Sequence, residues 1–298
     1  MLGARHIQEA STMTAVPMPE VRLPDGRVVP ALGLGTWRMG ERPEARRAEV
    51  AAIRRAVEAG MTLIDTAEMY GEGGAETVVG EAIAGQHDRV FVVSKVLPSN
   101  ASPAGTVAAC ERSLARLGLE RIDLYLLHWR GRWALGDTVD AFERLGAQGK
   151  IGGWGVSNFD VGDLDALAAL PAGGRCATNQ IYYALSQRGP EFDLLPRMAA
   201  LGMPAMAYSP LDEGRLVDHP ALRPIAAELG ASCAQVALAW LLAPDVRDAQ
   251  VVAIPKSASV ARVDENAAAG ALRLEPRHRV VLDRAFAPPR GKSPLAMV

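Results

Sequence analysis

Seven short apolar runs recur along this chain, and each ends on a polar or aromatic residue suited to binding or proton chemistry. They span 62–65, 90–95, 122–128, 151–158, 177–180, 204–208 and 251–256, and their last residues are Asp65, Lys95, His128, Asn158, Gln180, Tyr208 and Lys256. Near-continuous apolar strands of this kind belong to parallel sheets whose outer faces are covered by helices. Segments with helical spacing separate most of the runs. Polar residues at the exit of strand after strand are the signature of an α/β fold, the (β/α)8 TIM barrel, with its chemistry at the C-terminal face of the strands.

A length of 298 residues matches one such barrel without a second domain. Apolar residues at 49% allow a large core, and a formal charge of −2 gives no electrostatic footprint for nucleic acid or an anionic membrane. No run approaches the ~18 apolar residues of a membrane span. Cys110, Cys176 and Cys233 have no paired spacing, which argues against a disulfide framework or zinc ribbon and for a reducing cytoplasm. Cys110 lies on the apolar stripe of Val107, Leu114 and Leu117 and is expected in the core. Residues 1–20 lack the h-region of a secretory signal and are expected to be a disordered extension, with Met13 and Met18 as alternative starts.

Residues 21–298 read as a single domain. Pro24-Asp25-Gly26 is a β-turn signal between two extended pieces, which predicts a hairpin over the bottom of the barrel. The first barrel strand is 31–36. Helical patterns follow over 44–59, 74–85, 103–117, 137–147, 161–170 and 190–201, and Ser232 with Gln235 forms a capping-box signature before Val236 and Trp240. Further helices are expected from about Ser259 and over 276–286.

Only four lysines occur, and two of them, Lys95 and Lys256, end barrel strands. An ammonium at the Lys95 position, held by Asp65, would favour the phenolate of the nearby Tyr70 and so lower its pKa. His128 is the only one of five histidines at a strand end, and no H-E-x-x-H or His/Cys cluster makes it a metal ligand. Together Tyr70 and His128 offer two donors to one carbonyl oxygen.

In this order, Asp65, Tyr70, Lys95 and His128 resemble the catalytic tetrad of the aldo-keto reductase family. The resemblance extends through Gly33-Leu-Gly-Thr-Trp37, Leu63-Ile-Asp-Thr-Ala-Glu-Met-Tyr70, Leu124-Tyr-Leu-Leu-His-Trp129, Gly155-Val-Ser-Asn-Phe159, Asn179-Gln180, Tyr208-Ser-Pro-Leu211 and Ile254-Pro-Lys-Ser257. It implies reduction of an aldehyde or ketone with NADPH, Tyr70 being the general acid, Lys95 and Asp65 tuning it, and His128 orienting the carbonyl. It also implies that Ser157, Asn158 and Gln180 hold the cofactor carboxamide and that Tyr208 stacks on the nicotinamide. Thr36, Trp37, Asp65 and the Ser209, Pro210, Leu211 turn join the cofactor site. Lys256, Ser257, Arg262, Glu265 and Asn266 resemble the site for the adenosine 2′-phosphate and adenine. Trp37 and Trp129, with Tyr70 and His128, match the substrate pocket.

The chain stops soon after its last helix, without the long tail that closes the pocket in steroid-type relatives. Closer matches, including Thr66-Ala-Glu-Met-Tyr70 and Cys176-Ala-Thr-Asn-Gln180, resemble bacterial members that reduce methylglyoxal and similar small carbonyls. His128-Trp129-Arg130 departs from the family's frequent His-Trp-Pro. A monomer is expected, with no metal, nucleic-acid or membrane partner. Two rivals remain at this stage: a lyase forming a Schiff base on Lys95, and a non-catalytic NADPH-binding regulatory subunit.

Overall fold

A computed structural model describes residues 18–243 and 250–298. Most of the expected N-terminal extension, residues 1–17, lies outside the described residues. Strands β1 (Glu20–Arg22) and β2 (Val28–Pro30) pair antiparallel, Glu20 opposite Pro30. Their turn is the Pro24-Asp25-Gly26 segment, where Gly26 adopts the positive φ of 89° that only glycine takes without strain. The hairpin buries Val21, Leu23 and Val29. Its Arg27 donates to the Asp123 carbonyl at 2.9 Å and lies over the Phe91 ring. Both partners lie at the N-terminal ends of barrel strands, so the hairpin covers the bottom, as the sequence predicts.

Eight parallel strands follow in chain order, neighbour beside neighbour. They are β3 (Leu34–Gly35), β4 (Leu63–Asp65), β5 (Phe91–Val96), β6 (Leu124–Leu127), β7 (Trp154–Ser157), β8 (Asn179–Tyr182), β9 (Ala205–Tyr208) and β10 (Val251–Ala253). Backbone bonds join the last run to the first: Gly33 N–H to Ala253 O at 2.9 Å, Gly35 N–H to Pro255 O at 3.1 Å, and Ala253 N–H to Ala31 O at 2.8 Å. A closed sheet has no edge strand to protect.

Around it lie α1 (Arg46–Glu58), α2 (Gly74–Ile83), α3 (Pro103–Leu117), α4 (Leu135–Ala147), α5 (Val161–Ala168), α6 (Leu194–Ala200), α7 (Arg223–Glu228), α8 (Cys233–Leu242), α9 (Val260–Ala268) and α10 (Pro276–Ala285). Val50, Ile53 and Val57 of α1 and Val139, Phe142 and Leu145 of α4 are buried as their spacing requires. Helix α3 starts on Ser102, whose hydroxyl accepts from Gly105 N–H, and ends at Gly118 with φ 65°. Its Cys110 is fully buried, and burial pushes the thiol up to about 12, so it is inert. The Ser232–Gln235 capping box is present in both directions. Gln235 also donates to Glu265 O, tying α8 to α9.

Several details depart from the sequence reading: β3 and β10 are shorter than 31–36 and 251–256, and Asn158 and Lys256 lie beyond the ends of β7 and β10. Strand β8 runs two residues past Gln180 to Tyr182, because Tyr182 pairs with Tyr208 of β9 and stacks on its ring. The His128 residue lies just beyond β6, held by its N–H to Val96 O. Helix α7 was not anticipated: six residues opening on a proline give no periodicity to detect.

The approach of the β3–α1 loop to the start of α2 is close enough to exclude side chains. Gly40 has φ 74°, and a Cβ there would lie 2.2 Å from the Gly74 carbonyl carbon. Gly60 has φ 90° with nothing within 4 Å of its Cβ position. Gly40→Ala is therefore expected to lower the unfolding free energy by on the order of 3 kcal/mol, combining overpacking with backbone strain. Gly60→Ala should lose about 1 kcal/mol from strain alone. Urea unfolding of both variants checks this, and equal losses would refute the close-approach argument.

Candidate active site

Strand ends bring the titratable residues together at the C-terminal face. Asp65 is the last residue of β4, and Lys95 lies one residue before the end of β5. Lys95 is 0% and Asp65 2% exposed. The Lys95 ammonium uses all three of its donors: Asp65 Oδ2 at 2.8 Å, Thr66 O at 2.9 Å and the Tyr70 hydroxyl at 3.1 Å. It also lies 4.7 Å from the Tyr70 ring centre. The His128 ring meets Tyr70 edge-on at 5.9 Å. The four residues singled out in sequence thus form one connected group.

Burial alone would drive Lys95 toward its neutral form, but Asp65 and then Tyr70 outweigh it and hold the ammonium above the usual lysine range. Burial raises Asp65, and the Lys95 charge and the Gln180 amide oppose that rise. Tyr70 departs from expectation. Burial raises the phenol, and although Lys95 acts to lower it, the net direction is upward. The ammonium reduces the cost of forming a phenolate without bringing the pKa below its ordinary value. Burial, reinforced by the Lys95 charge, pushes His128 down to about 2, so its ring is neutral. Its Nδ1 is buried with no hydrogen-bond partner. A proton there would be an unsatisfied buried N–H, which favours the tautomer protonated on Nε2.

The residues expected at the carboxamide form a second cluster joined to the first. Gln180 Nε2 donates to Asp65 Oδ1 at 2.7 Å and lies 2.9 Å from Met206 Sδ. Ser157 Oγ donates to Gln180 O at 2.9 Å. Asn158, at φ 59°, donates to His128 O and Ser157 Oγ. The Tyr208 hydroxyl donates to Asn158 Oδ1 at 2.9 Å. Most polar atoms here are already engaged with one another, while among the described residues no hydrogen bond is made to Gln180 Oε1.

The remaining candidates are spread more widely. Thr36 is buried, its hydroxyl on the Asp65 carbonyl. Trp37 is half-buried under the Arg38 guanidinium, and Trp129 lies 4.8 Å from His128. Ser209, Pro210 and Leu211 turn away from β9, with Ser209 at φ 46°. Lys256 meets the end of β3 through a bridge to Gly35. Burial, partly offset by Glu49 and reinforced by Arg38, holds its ammonium below the usual range. Ser257 is buried, its hydroxyl spent on the turn into α9 through Ser259. Arg262 is exposed on α9; Glu265 and the buried Asn266 follow it. Neither Lys256 nor Arg262 forms a salt bridge among the described residues.

Several site residues escaped the sequence reading. Tyr182 stacks on Tyr208 and bonds Asp212, which also accepts from Ser186 and Arg215 and so fastens the loop after β9. The two-residue alternation from Gln180 would have placed Tyr182 on the same face. Glu68, within the Asp65 to Tyr70 motif, accepts from Leu97 N–H and Asn100. The short C-terminal tail also reaches the site. Lys292 pairs with Asp160 and Asp193, Leu295 and Ala296 pack on the core, and the Val298 backbone N–H acts on the Tyr208 phenol against the rise that burial gives it. Among the described residues no cluster of His, Cys, Asp or Glu side chains is arranged to hold a metal, and no helix is long and apolar enough to cross a membrane.

This chain is 50% identical to methylglyoxal reductase YeaE of Escherichia coli over 275 residues, 91% of this chain and 95% of that protein. It is 36% identical to glyoxal reductase of Bacillus subtilis over 250 residues, 83% and 85% of the two chains. An aldo-keto reductase from Klebsiella pneumoniae, crystallised with NADPH, superposes with a TM-score of 0.91 at 46% identity, covering 95% of this chain and all of that one. A profile of the Aldo/keto reductase family matches residues 31–280. The chain belongs to the aldo-keto reductase family.

Proposed function

We propose that Tyr70 is the proton donor of this NADPH-dependent carbonyl reductase and that its substrates are small aldehydes and ketones of the methylglyoxal type. The observation that carries the assignment is the Lys95 ammonium touching both Asp65 and the Tyr70 hydroxyl, with His128 against the same phenol. Methylglyoxal reductase and glyoxal reductase among the relatives support the substrate class. Trp37 and Trp129 supply apolar walls.

The residues present suit NADPH. Gln180 Oε1 is an acceptor for a carboxamide N–H, and Lys256 and Arg262 are cations that form no salt bridge among the described residues. Ser157 and Asn158 would join Gln180 at the carboxamide, Tyr208 would stack on the ring, and Ser209, Pro210 and Leu211 would border the cofactor. Ser257, Glu265 and Asn266 would surround its adenosine end. When bound, NADPH supplies the hydride.

The chain's own residues handle the proton. His128 Nε2–H and the Tyr70 hydroxyl converge on the substrate carbonyl oxygen, where negative charge develops. Tyr70 then passes its phenolic proton to that oxygen, and Lys95 stabilises the phenolate left behind. Asp65 keeps Lys95 charged and in place, and solvent returns the proton to Tyr70. The same geometry disfavours a Schiff base, since an amine held protonated in a buried ion pair is a poor nucleophile. A complete proton-transfer group disfavours a purely regulatory role. The enzyme acts in the cytoplasm as a monomer of one domain over 21–298; three unpaired, buried cysteines suit a reducing compartment.

Tyr70→Phe should keep NADPH binding and lose on the order of 10²–10⁴ in turnover. Turnover close to wild type, with chemistry rate-limiting, would remove Tyr70 from the acid role.

Lys95→Met should be similarly slow, and its residual activity should persist to higher pH. The Lys95 charge lowers the phenol's pKa against burial, so losing it raises that pKa and moves the alkaline fall in reduction upward. His128, held down to about 2 by burial and then by the Lys95 charge, should contribute no limb between pH 5 and 8 in the wild type. An alkaline limb unchanged in Lys95→Met would sink the electrostatic role.

Arg262→Ala should weaken NADPH binding roughly 10- to 150-fold, the equivalent of a charged hydrogen bond of ~1.5–3 kcal/mol. NADH binding should change little. Tryptophan fluorescence quenching reports both, and equal losses would assign Arg262 to the adenine site or the fold.

A further inference from the structure

The geometry points to Glu68 as a positioning residue that clamps the Tyr70 loop to the loop following Lys95 and so sets the distance between phenol and ammonium. This rests on Tyr70 being the proton donor. Glu68 lies between Asp65 and Tyr70 and is buried. Its Oε1 accepts from Leu97 N–H at 2.8 Å and from Asn100 Nδ2 at 2.9 Å, both on the loop after β5. Its Oε2 lies 3.5 Å from Arg112 of α3. A second carboxylate, Glu76 of α2, is fully buried and accepts from Ser94, the residue before Lys95, and from Arg116 of α3 at 2.6 Å. Arg112 and Arg116 are one helical turn apart. Helix α3 therefore grips the Tyr70 segment on both sides, at Glu68 before the phenol and at Glu76 after it.

The grip has a load to resist. Directly after Tyr70 the backbone is left-handed for three residues, Gly71, Glu72 and Gly73, at φ 56°, 54° and 91°. A Cβ on Gly73 would meet the Arg116 side chain at 2.5 Å, so the guanidinium packs against that bend. Glu72 has no glycine freedom, and a non-glycine residue held in this region persists only where its surroundings over-determine it. Of the two carboxylates, Glu68 is nearer Tyr70 in sequence and joins the two loops whose relative placement fixes the 3.1 Å contact of Lys95 with Tyr70. Misplacing a reacting group by about 1 Å can lower a rate 10²-fold.

Glu68→Ala should lower kcat for carbonyl reduction by about 10- to 100-fold while NADPH Kd stays within about 2-fold. Its alkaline limb should move to higher pH, because the charged groups facing the phenol are Lys95 and Asp65, with neutral His128 beside them, and a phenol drifting from Lys95 loses the charge that lowers its pKa. Glu68→Gln keeps an oxygen for Leu97 and Asn100 and gives up only the pair with Arg112, which is half exposed at 51% and worth little. It should remain within about 3-fold of wild type. Should Glu68→Ala fold poorly, Asn100→Ala removes one strut from a half-exposed position and should lose about 3- to 10-fold in kcat with the same upward shift. Wild-type kcat in Glu68→Ala or, where that variant fails to fold, in Asn100→Ala would overturn the clamp. So would an unmoved limb, or a Glu68→Gln loss as large as that of Glu68→Ala. Tyr70→Phe measured alongside separates the two claims: an inactive Tyr70→Phe with an unaffected Glu68→Ala refutes the clamp alone, whereas an active Tyr70→Phe refutes the acid assignment beneath it.

Discussion

A charged lysine with no solvent exposure is the constraint around which the mouth of this barrel is arranged. Removing one partner of a buried ion pair typically costs about 3–5 kcal/mol, because the other charge is left without compensation. Lys95 avoids that penalty only while Asp65, the Thr66 carbonyl and Tyr70 all hold their places. Asp65 is satisfied in turn by Gln180 on its other oxygen, Gln180's carbonyl by Ser157, Ser157's hydroxyl by Asn158, and Asn158 by Tyr208. The bonds run from β5 through β4 to β8, β7 and β9, so satisfying one buried ammonium orders side chains from five strands.

Burial also decides what kind of acid the phenol is. An exposed tyrosine beside a lysine would have a lowered pKa; here removal from water acts in the opposite direction and prevails. The phenol consequently stays protonated at neutral pH and is ready to donate. In the reaction proposed, the nearby ammonium would act mainly after the proton has gone, when the phenolate must be stabilised in a site that solvates it poorly. The same dryness keeps His128 neutral and able to donate from Nε2 without itself changing charge.

How much of this could be read from sequence follows from the range of each interaction. Strand order, closure and the grouping of Asp65, Lys95 and His128 were legible, because apolar runs ending in these residues reflect a local pattern that parallel strands impose on every unit. The hairpin turn and the Ser232–Gln235 cap were legible for the same reason: a few adjacent residues specify them. Tyr182 stacked on Tyr208, Gln180 turned toward Asp65 and Val298 reaching Tyr208 were not, since each depends on which strand ends meet across the barrel. The sign of the Tyr70 shift was missed because the charge of Lys95 is visible in sequence, whereas the desolvation that outweighs it exists only in the packed structure.

The segment that bears the phenol shows why such a site needs support from outside itself. Tyr70 is followed by a left-handed stretch, and the same turn is approached so closely by the backbone around Met39 and Gly40 that a Cβ on Gly71 would lie 2.9 Å from the Met39 carbonyl. Glycine removes the clash but contributes no side chain to hold the loop, and its backbone gains freedom that the proposed proton donor must not have. Rigidity therefore has to come from neighbours, and here it comes from buried carboxylates answered by the Leu97 amide, Ser94, Asn100 and two arginines of α3. Electrostatic preorganisation requires that dipoles and charges be in place before the reaction begins. In this chain, glycines allow the phenol to approach the ammonium, and groups several residues away in sequence keep it there.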